Sequence, residues 1–200
     1  MAEQSPLSPM SQHSPWVDRH VLLGVTGGIA CFKTAALASR LVQSGAEVRV
    51  VMTRAATRFV TALTFESLSG HSVVTDFLDH GQAEGDSAHI GVARWCDLMI
   101  VAPATADTLA RLAAGLSDNP VTLAATALPT STPALLAPAM NEQMWENPVT
   151  QRNLATVKEV LSYHTVGPAA GWQACRTQGA GRMSEPEAIM EAAETVLGSG

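Results

Sequence analysis

Two hundred residues, 46% of them apolar and 15% charged, suit one domain with its own core. The net charge of −6 argues against nucleic acid or an anionic membrane as a non-specific partner. No apolar run approaches the ~20 residues that span a bilayer, and the N-terminus lacks the basic start and apolar core of a signal peptide.

Residues 1–18, rich in Ser, Pro and Gln, are expected to form a disordered tail, with the folded domain over 19–197. His20–Val25 reads as a short apolar strand. Residues 29–43 have helical spacing that stops before Gly45, and Glu47–Met52 reads as a second strand. A helix is expected over 57–68, and an amphipathic segment opens at His89. A buried strand at 98–102 leads into an Ala- and Leu-rich helix at 104–114. The rest reads as strand 132–137, helix 149–160, strand 163–166 and closing helix 185–197. Alternating elements with continuous apolar strands predict an α/β fold: a single-domain, Rossmann-like parallel sheet with helices on both faces. Its crossovers should be right-handed.

Three cysteines cannot all pair, and none sits in a Cys-x-x-Cys spacing, so free thiols in a reducing cytoplasm are expected. Cys31 and Cys96 fall in apolar helical patterns and read as packing residues. Six scattered histidines form no metal-ligand pattern. Low surface charge favours subunit contacts.

Four loops carry candidate chemistry. Thr26-Gly27-Gly28-Ile29-Ala30 joins the first strand to the first helix, a place where glycines let backbone approach a phosphate and a helix start favours an anion. It reads equally as a tight turn. Thr53 follows the second strand, and Thr105-Ala106-Asp107-Thr108 follows the third, so hydroxyls and a helix start recur at strand ends. Pro138-Ala139-Met140-Asn141-Glu142-Gln143-Met144-Trp145 follows another strand, facing the crevice where open α/β sheets bind ligands. The Asn141 amide, donor and acceptor together, suits a substrate carboxylate or amide, or serves simply as a helix cap. Residues 171–183 combine glycines, Cys175 and arginines in a polar stretch that reads as a flap over bound ligand or as a surface loop. His89 is either a helix-start residue or a group that moves protons at neutral pH.

The Pro138–Trp145 stretch resembles the Pro-x-Met-Asn-x-x-Met-Trp signature of the flavin-dependent cysteine decarboxylases, and the resemblance runs from about His20 to Leu197. That family includes phosphopantothenoylcysteine decarboxylase of coenzyme A synthesis and the decarboxylases of peptide C-terminal cysteines. The resemblance implies a flavoprotein fold binding flavin mononucleotide (FMN) through Gly27, Gly28, Thr53, Thr105, Ala106 and Thr108. Asp107 stands where the family commonly has Asn, and a carboxylate beside a phosphate would repel it.

The resemblance further implies His89 as the catalytic base, since the family carries it in the same local context about fifty residues before the Asn, here 52. Asn141 would grip the substrate carboxylate, with Met144, Arg182 and Met183 as further substrate contacts. Cys175 precedes a Gly-x-Gly-Arg-Met run, as in the phosphopantothenoylcysteine enzymes, where such a thiol donates a late proton; Arg176 replaces the family's usual Gly. The implied reaction is FMN-dependent decarboxylation of 4′-phosphopantothenoylcysteine to 4′-phosphopantetheine. A peptidyl-cysteine decarboxylase, a flavin prenyltransferase and a non-catalytic FMN-binding regulatory subunit are the alternatives. The first two are opposed by Cys175, and the prenyltransferase by Asn141 as well. A homo-oligomer, trimer or dodecamer, is the implied assembly.

Overall fold

The computed structural model describes residues 14–76, 88–172, 176 and 178–198. Its main sheet has five parallel strands in the order β2-β1-β3-β4-β5. These are β1 His20–Val25, β2 Glu47–Met52, β3 Leu98–Ala104, β4 Ala134–Pro138 and β5 His164–Thr165. The α-helices are α1 Cys31–Gln43, α2 Ala62–Ser69, α3 Ala88–Trp95, α4 Ala106–Ala114, α5 Pro120–Thr126, α6 Glu142–Glu146, α7 Pro148–Val160 and α8 Pro186–Gly198. A two-stranded antiparallel hairpin, β6 Ala169–Trp172 with β7 Gln178–Arg182, stands outside the sheet.

Strand alternation divides the core into two layers. Val21, Leu23, Val25 and Ile100 face Leu37 and Leu41 of α1, Phe65 of α2 and Ile189 of α8. Leu22, Met99 and Val101 face Val92 of α3, Leu109 and Leu112 of α4, Val121 of α5 and Val157 of α7. Each fully buried Leu or Ile contributes ~1.5–3 kcal/mol relative to exposure. Because both faces are covered, β3 and β4 are apolar along their whole lengths, the pattern expected of a doubly covered parallel sheet. A Cβ at Gly24 would meet Val121 Cγ1 at 2.9 Å, so the missing side chain makes room for α5.

The chain leaves β1 toward β2, then returns to place β3 on the other side of β1. That reversal opens a crevice at the carboxyl ends of β1 and β3, where α/β folds seat ligands.

Several expectations shift. The helix expected over 57–68 is a 3₁₀ turn, Ala56–Arg58, followed by α2, because Thr61 is extended and starts a new helix. The helix expected from 104 begins at Ala106: Ala104 still belongs to β3, with its carbonyl accepting from Ala139 N at 3.1 Å, and Thr105 is the cap. The first helix begins at Cys31 rather than 29. Helices α5 and α6 and the β6–β7 hairpin were not expected as elements. Packed chain also begins before residue 19. Trp16 is 1% exposed, its indole Nε1 donates to Glu194 Oε1 at 2.7 Å, and Ser14 Oγ donates to the Ser44 carbonyl at 2.7 Å. The tail expectation for residues 1–13 lies outside the described residues. Among the described residues, no helix is long and apolar enough to cross a membrane.

Candidate active site

The carboxyl-end crevice is a cavity of about 1160 Å³. Four of the five parallel strands contribute the segments that follow them: 26–30 after β1, 53–55 after β2, 105–108 after β3 and 139–141 after β4. The hairpin supplies Trp172, Gly181 and Arg182, and Arg176 and Met183 lie beside it.

One wall is built from short side chains and backbone. Thr26, 1% exposed, donates its hydroxyl to the Pro103 carbonyl at 2.5 Å and accepts from Thr105 N at 3.4 Å, which joins the first and third loops. Thr34 Oγ1 donates to the Ala102 carbonyl at 2.8 Å and fixes α1 against β3. A Cβ at Gly27 would overlap Ala55, so the first and second loops touch through a position that admits no side chain. Gly28 differs, since a Cβ there would sit in ordinary contact, 3.6 Å from Thr105 Cγ2. Thr53 Oγ1 accepts from Ala56 N at 3.2 Å. Thr105 caps α4 by accepting from Thr108 N at 3.3 Å, and the two hydroxyls are 2.9 Å apart. The N–H groups of Ala106 and Asp107 thus sit at the start of a nine-residue helix, a favourable place for an anion.

The Asp107 carboxylate beside that helix start is paired with a cation. Its carboxylate accepts from Arg111 Nε at 2.8 Å, while Arg111 Nη1 reaches Asp118 at 2.5 Å. The flanking carboxylates raise the guanidinium pKa above its ordinary value, Asp107 most strongly.

Longer side chains form the other wall. Asn141 is the N-cap of α6: its Oδ1 accepts from Met144 N at 2.8 Å. That bond engages the amide oxygen at the start of α6 and leaves the NH₂ available as a donor at the cavity that Asn141 lines. Met144 and Trp172 are exposed at the cavity mouth. Arg182 is ion-paired with Glu185, and Met183 is buried in the core side of the wall.

Lys33 escaped the sequence reading. Its Nζ, nearly buried, donates to the Met183 carbonyl at 3.0 Å and to Glu185 Oε1 at 2.9 Å. The bond from Lys33 holds the Glu185 carboxyl below its ordinary range. A cation inside an otherwise apolar helical run was the available signal. Among the described residues, Lys33, Arg54, Arg111, Arg176 and Arg182 line the cavity with Asp107 and Asp118, and Glu185 pairs with Lys33 and Arg182, which leaves a local positive excess in a chain of net charge −6. Such a cavity suits an anionic ligand.

Two expected residues are not among the described lining of this cavity. His89, half-buried in the first turn of α3, is absent from the lining of the single chain. Cys175 falls outside the described residues; in sequence it lies between Trp172 and Gln178. Cys31 and Cys96 are buried and bonded to the carbonyls of Thr26 at 3.1 Å and Ala93 at 3.4 Å. Burial pushes both thiols up, that of Cys96 to about 12, so neither supplies a thiolate near neutral pH.

A family model described as Flavoprotein matches residues 9–198. The coenzyme A biosynthesis bifunctional protein CoaBC of Vibrio cholerae is 50% identical over 168 residues, which is 84% of this chain and 41% of that protein. The chain spans about two fifths of the length of the curated relatives it matches. Among solved structures, a cysteine-to-serine mutant of PPC decarboxylase complexed with pantothenoylaminoethenethiol superposes with a TM-score of 0.80 at 32% identity, covering 89% of this chain and 97% of that one. The FMN-dependent cysteine decarboxylase SpaF gives a TM-score of 0.78 at 29% identity, covering 92% and 98%.

Proposed function

This chain belongs to the Flavoprotein family, and on that premise we propose that it is an FMN-dependent decarboxylase converting 4′-phosphopantothenoylcysteine to 4′-phosphopantetheine in coenzyme A biosynthesis. The likeness to PPC decarboxylase spans nearly all of that enzyme, and it supports the decarboxylase chemistry of the longer bifunctional relatives rather than the rest of their activity. The observation that carries the reading is the place of Asn141: its oxygen caps α6 while the residue lines the cavity, so its NH₂ is available as a donor, the polarity a carboxylate requires.

The residues fit FMN. The touching loops at Gly27, the start of α4 and the positive excess suit a phosphate, and the cavity has room for a flavin beside a second ligand. Gly27, Gly28, Thr53, Thr105, Ala106 and Thr108 would hold it. When bound, FMN supplies a two-electron acceptor that makes loss of CO₂ from a cysteine possible. Asn141 orients the substrate carboxylate by donating to one of its oxygens. Met144, Arg182 and Met183 form the surrounding wall and limit water. His89 takes a proton from the reacting cysteinyl unit, and the Cys175 thiol returns one to the product.

Among the described residues, His89 does not line the cavity at the strand ends of its own chain. This supports a homo-oligomer, trimer or dodecamer, in which a second copy completes the site; a cytoplasmic location accords with the free, buried thiols.

Anaerobic incubation of the FMN-loaded protein with phosphopantothenoylcysteine, followed by CO₂ and product-mass measurement, tests the reading. Release of CO₂ with a saturated thiol product is expected. Turnover only of peptides ending in cysteine would move the chain to the peptidyl-cysteine decarboxylases, the class that the likeness to SpaF keeps in view. No turnover of either substrate would leave a non-catalytic flavin binder.

A further inference from the structure

We propose that Glu142 is a positioning residue whose carboxylate grips the backbone of β7 and holds the β6–β7 hairpin in register with Asn141. Ala180 N donates to Glu142 Oε1 at 3.2 Å. A Cβ at Gly179 would overlap the same carboxylate, so the side chain lies flat on the strand where that position offers no obstruction. A second tether lies two residues earlier, where Met140 N donates to the Gly181 carbonyl at 2.9 Å. The two anchors flank Asn141, which caps α6 and lines the cavity. Beyond Ala180, β7 continues through Gly181 to Arg182, and these two and the following Met183 line the same cavity. The spacing between the Asn141 amide and the hairpin wall is therefore set by bonds on either side of Asn141.

The hairpin needs such anchors. An isolated pair of short strands is marginal in water. Here the strands are rich in Gly and Ala, and Trp172, their largest described side chain, is 63% exposed, so burial contributes little to docking. A hydrogen bond to an ionised acceptor is about twice as strong as a neutral one, and it supplies direction as well as attachment. An acidic residue in the first turn also favours α6 through the helix dipole. That effect alone would leave Gly179 irrelevant, which separates the two roles.

The inference rests on the decarboxylase reading for its effect on turnover, but the clamp itself is measurable without substrate. FMN-loaded Glu142→Ala, Glu142→Gln, Gly179→Ala and the Glu142→Ala/Gly179→Ala pair would be compared by amide hydrogen exchange over residues 178–182 and by kcat and KM for phosphopantothenoylcysteine. Loss of the carboxylate should speed exchange in β7 and lower kcat more than it raises KM, by up to ~100-fold for misplaced reacting atoms. Gly179→Ala should displace the carboxylate and do the same, the double variant should be no worse than either single one, and Glu142→Gln, which keeps an acceptor, should recover most of the loss. Unchanged exchange in Glu142→Ala, additive losses in the pair, or faster exchange with unaltered kcat would overturn the proposal. If exchange follows this pattern while the wild type does not turn over the substrate, the clamp stands and the decarboxylase reading falls.

Discussion

The two walls of the cavity are built on different principles. Around Gly27, Thr26 and Thr105, the first and third loops are joined by the buried Thr26 hydroxyl, and the second meets the first through the Thr53–Val25 backbone bond and the tight Gly27–Ala55 contact. Across from them, Met144, Trp172 and Arg182 present long, exposed side chains on a five-residue helix and a small hairpin. The first wall is preorganised by the sheet itself. The second is held by a few polar anchors and can adapt. A tightly bound cofactor suits the first kind of surface, and a substrate that must enter and leave suits the second.

The largest effect should come from a residue on neither wall. His89→Asn is expected to lower turnover by ~10²–10⁴ while flavin absorbance and melting temperature hold, because the ring is proposed to move protons and supports neither surface. Near wild-type turnover would reduce His89 to a helix-start residue. On the adaptable wall, Asn141→Asp preserves an N-cap oxygen but replaces the amide donors with a charge like that of the substrate carboxylate. A loss of ~10²–10³ in kcat/KM is expected, with unchanged stability. Equal activity would place the carboxylate elsewhere.

The preorganised wall should respond differently. Gly27→Ala forces the first two loops apart, at ~1–3 kcal/mol of overpacking, and should weaken FMN binding in a fluorescence titration. Gly28→Ala has room and should bind FMN nearly normally. The reverse ranking would mean that the loop contact does not shape the flavin site.

A smaller effect marks the junction between the walls. Lys33 holds the folded Glu185 carboxyl below its ordinary 4.5, so the pair adds stability above that value. That contribution disappears as pH falls through the depressed folded pKa. Glu185→Gln should therefore melt slightly lower than wild type at neutral pH, with the gap closing in acid; a gap that widened in acid would contradict the assignment. The effect stays modest because Glu185 is half exposed.

The same contrast explains what the sequence revealed. Strands β1, β3 and β4 were legible because burial on both faces leaves continuous apolar runs, and the edge strand β2 because Val48, Val50, Val51 and Met52 are buried around the half-buried Glu47 and Arg49. The loops of the first wall were legible for the same reason, since each follows such a strand. The second wall was harder to see. Helix α6 has five residues and no buried side chain, so no periodicity announces it, although Asn141 was already a cap candidate. The hairpin strands lack apolar alternation. Helix α5 did carry a signal, Asn119 as cap followed by Pro120 at the first helical position, but its seven residues span too few turns for a clear pattern. The partners of Lys33 and of Glu142 lie 150 and 38 residues away in sequence, and no local rule supplies them.

In the proposed decarboxylation, C–C cleavage and product saturation are separable steps. Single-turnover analysis of FMN-loaded Cys175→Ser with phosphopantothenoylcysteine tests that separation most directly. A hydroxyl is a far weaker acid than a thiol, so the variant should release CO₂, bleach its flavin and retain an ene-thiol product lacking two hydrogens. The solved PPC decarboxylase with a cysteine-to-serine substitution is complexed with an ethenethiol of this kind. Full turnover to saturated phosphopantetheine by Cys175→Ser, or no CO₂ from either wild type or variant, would contradict the account.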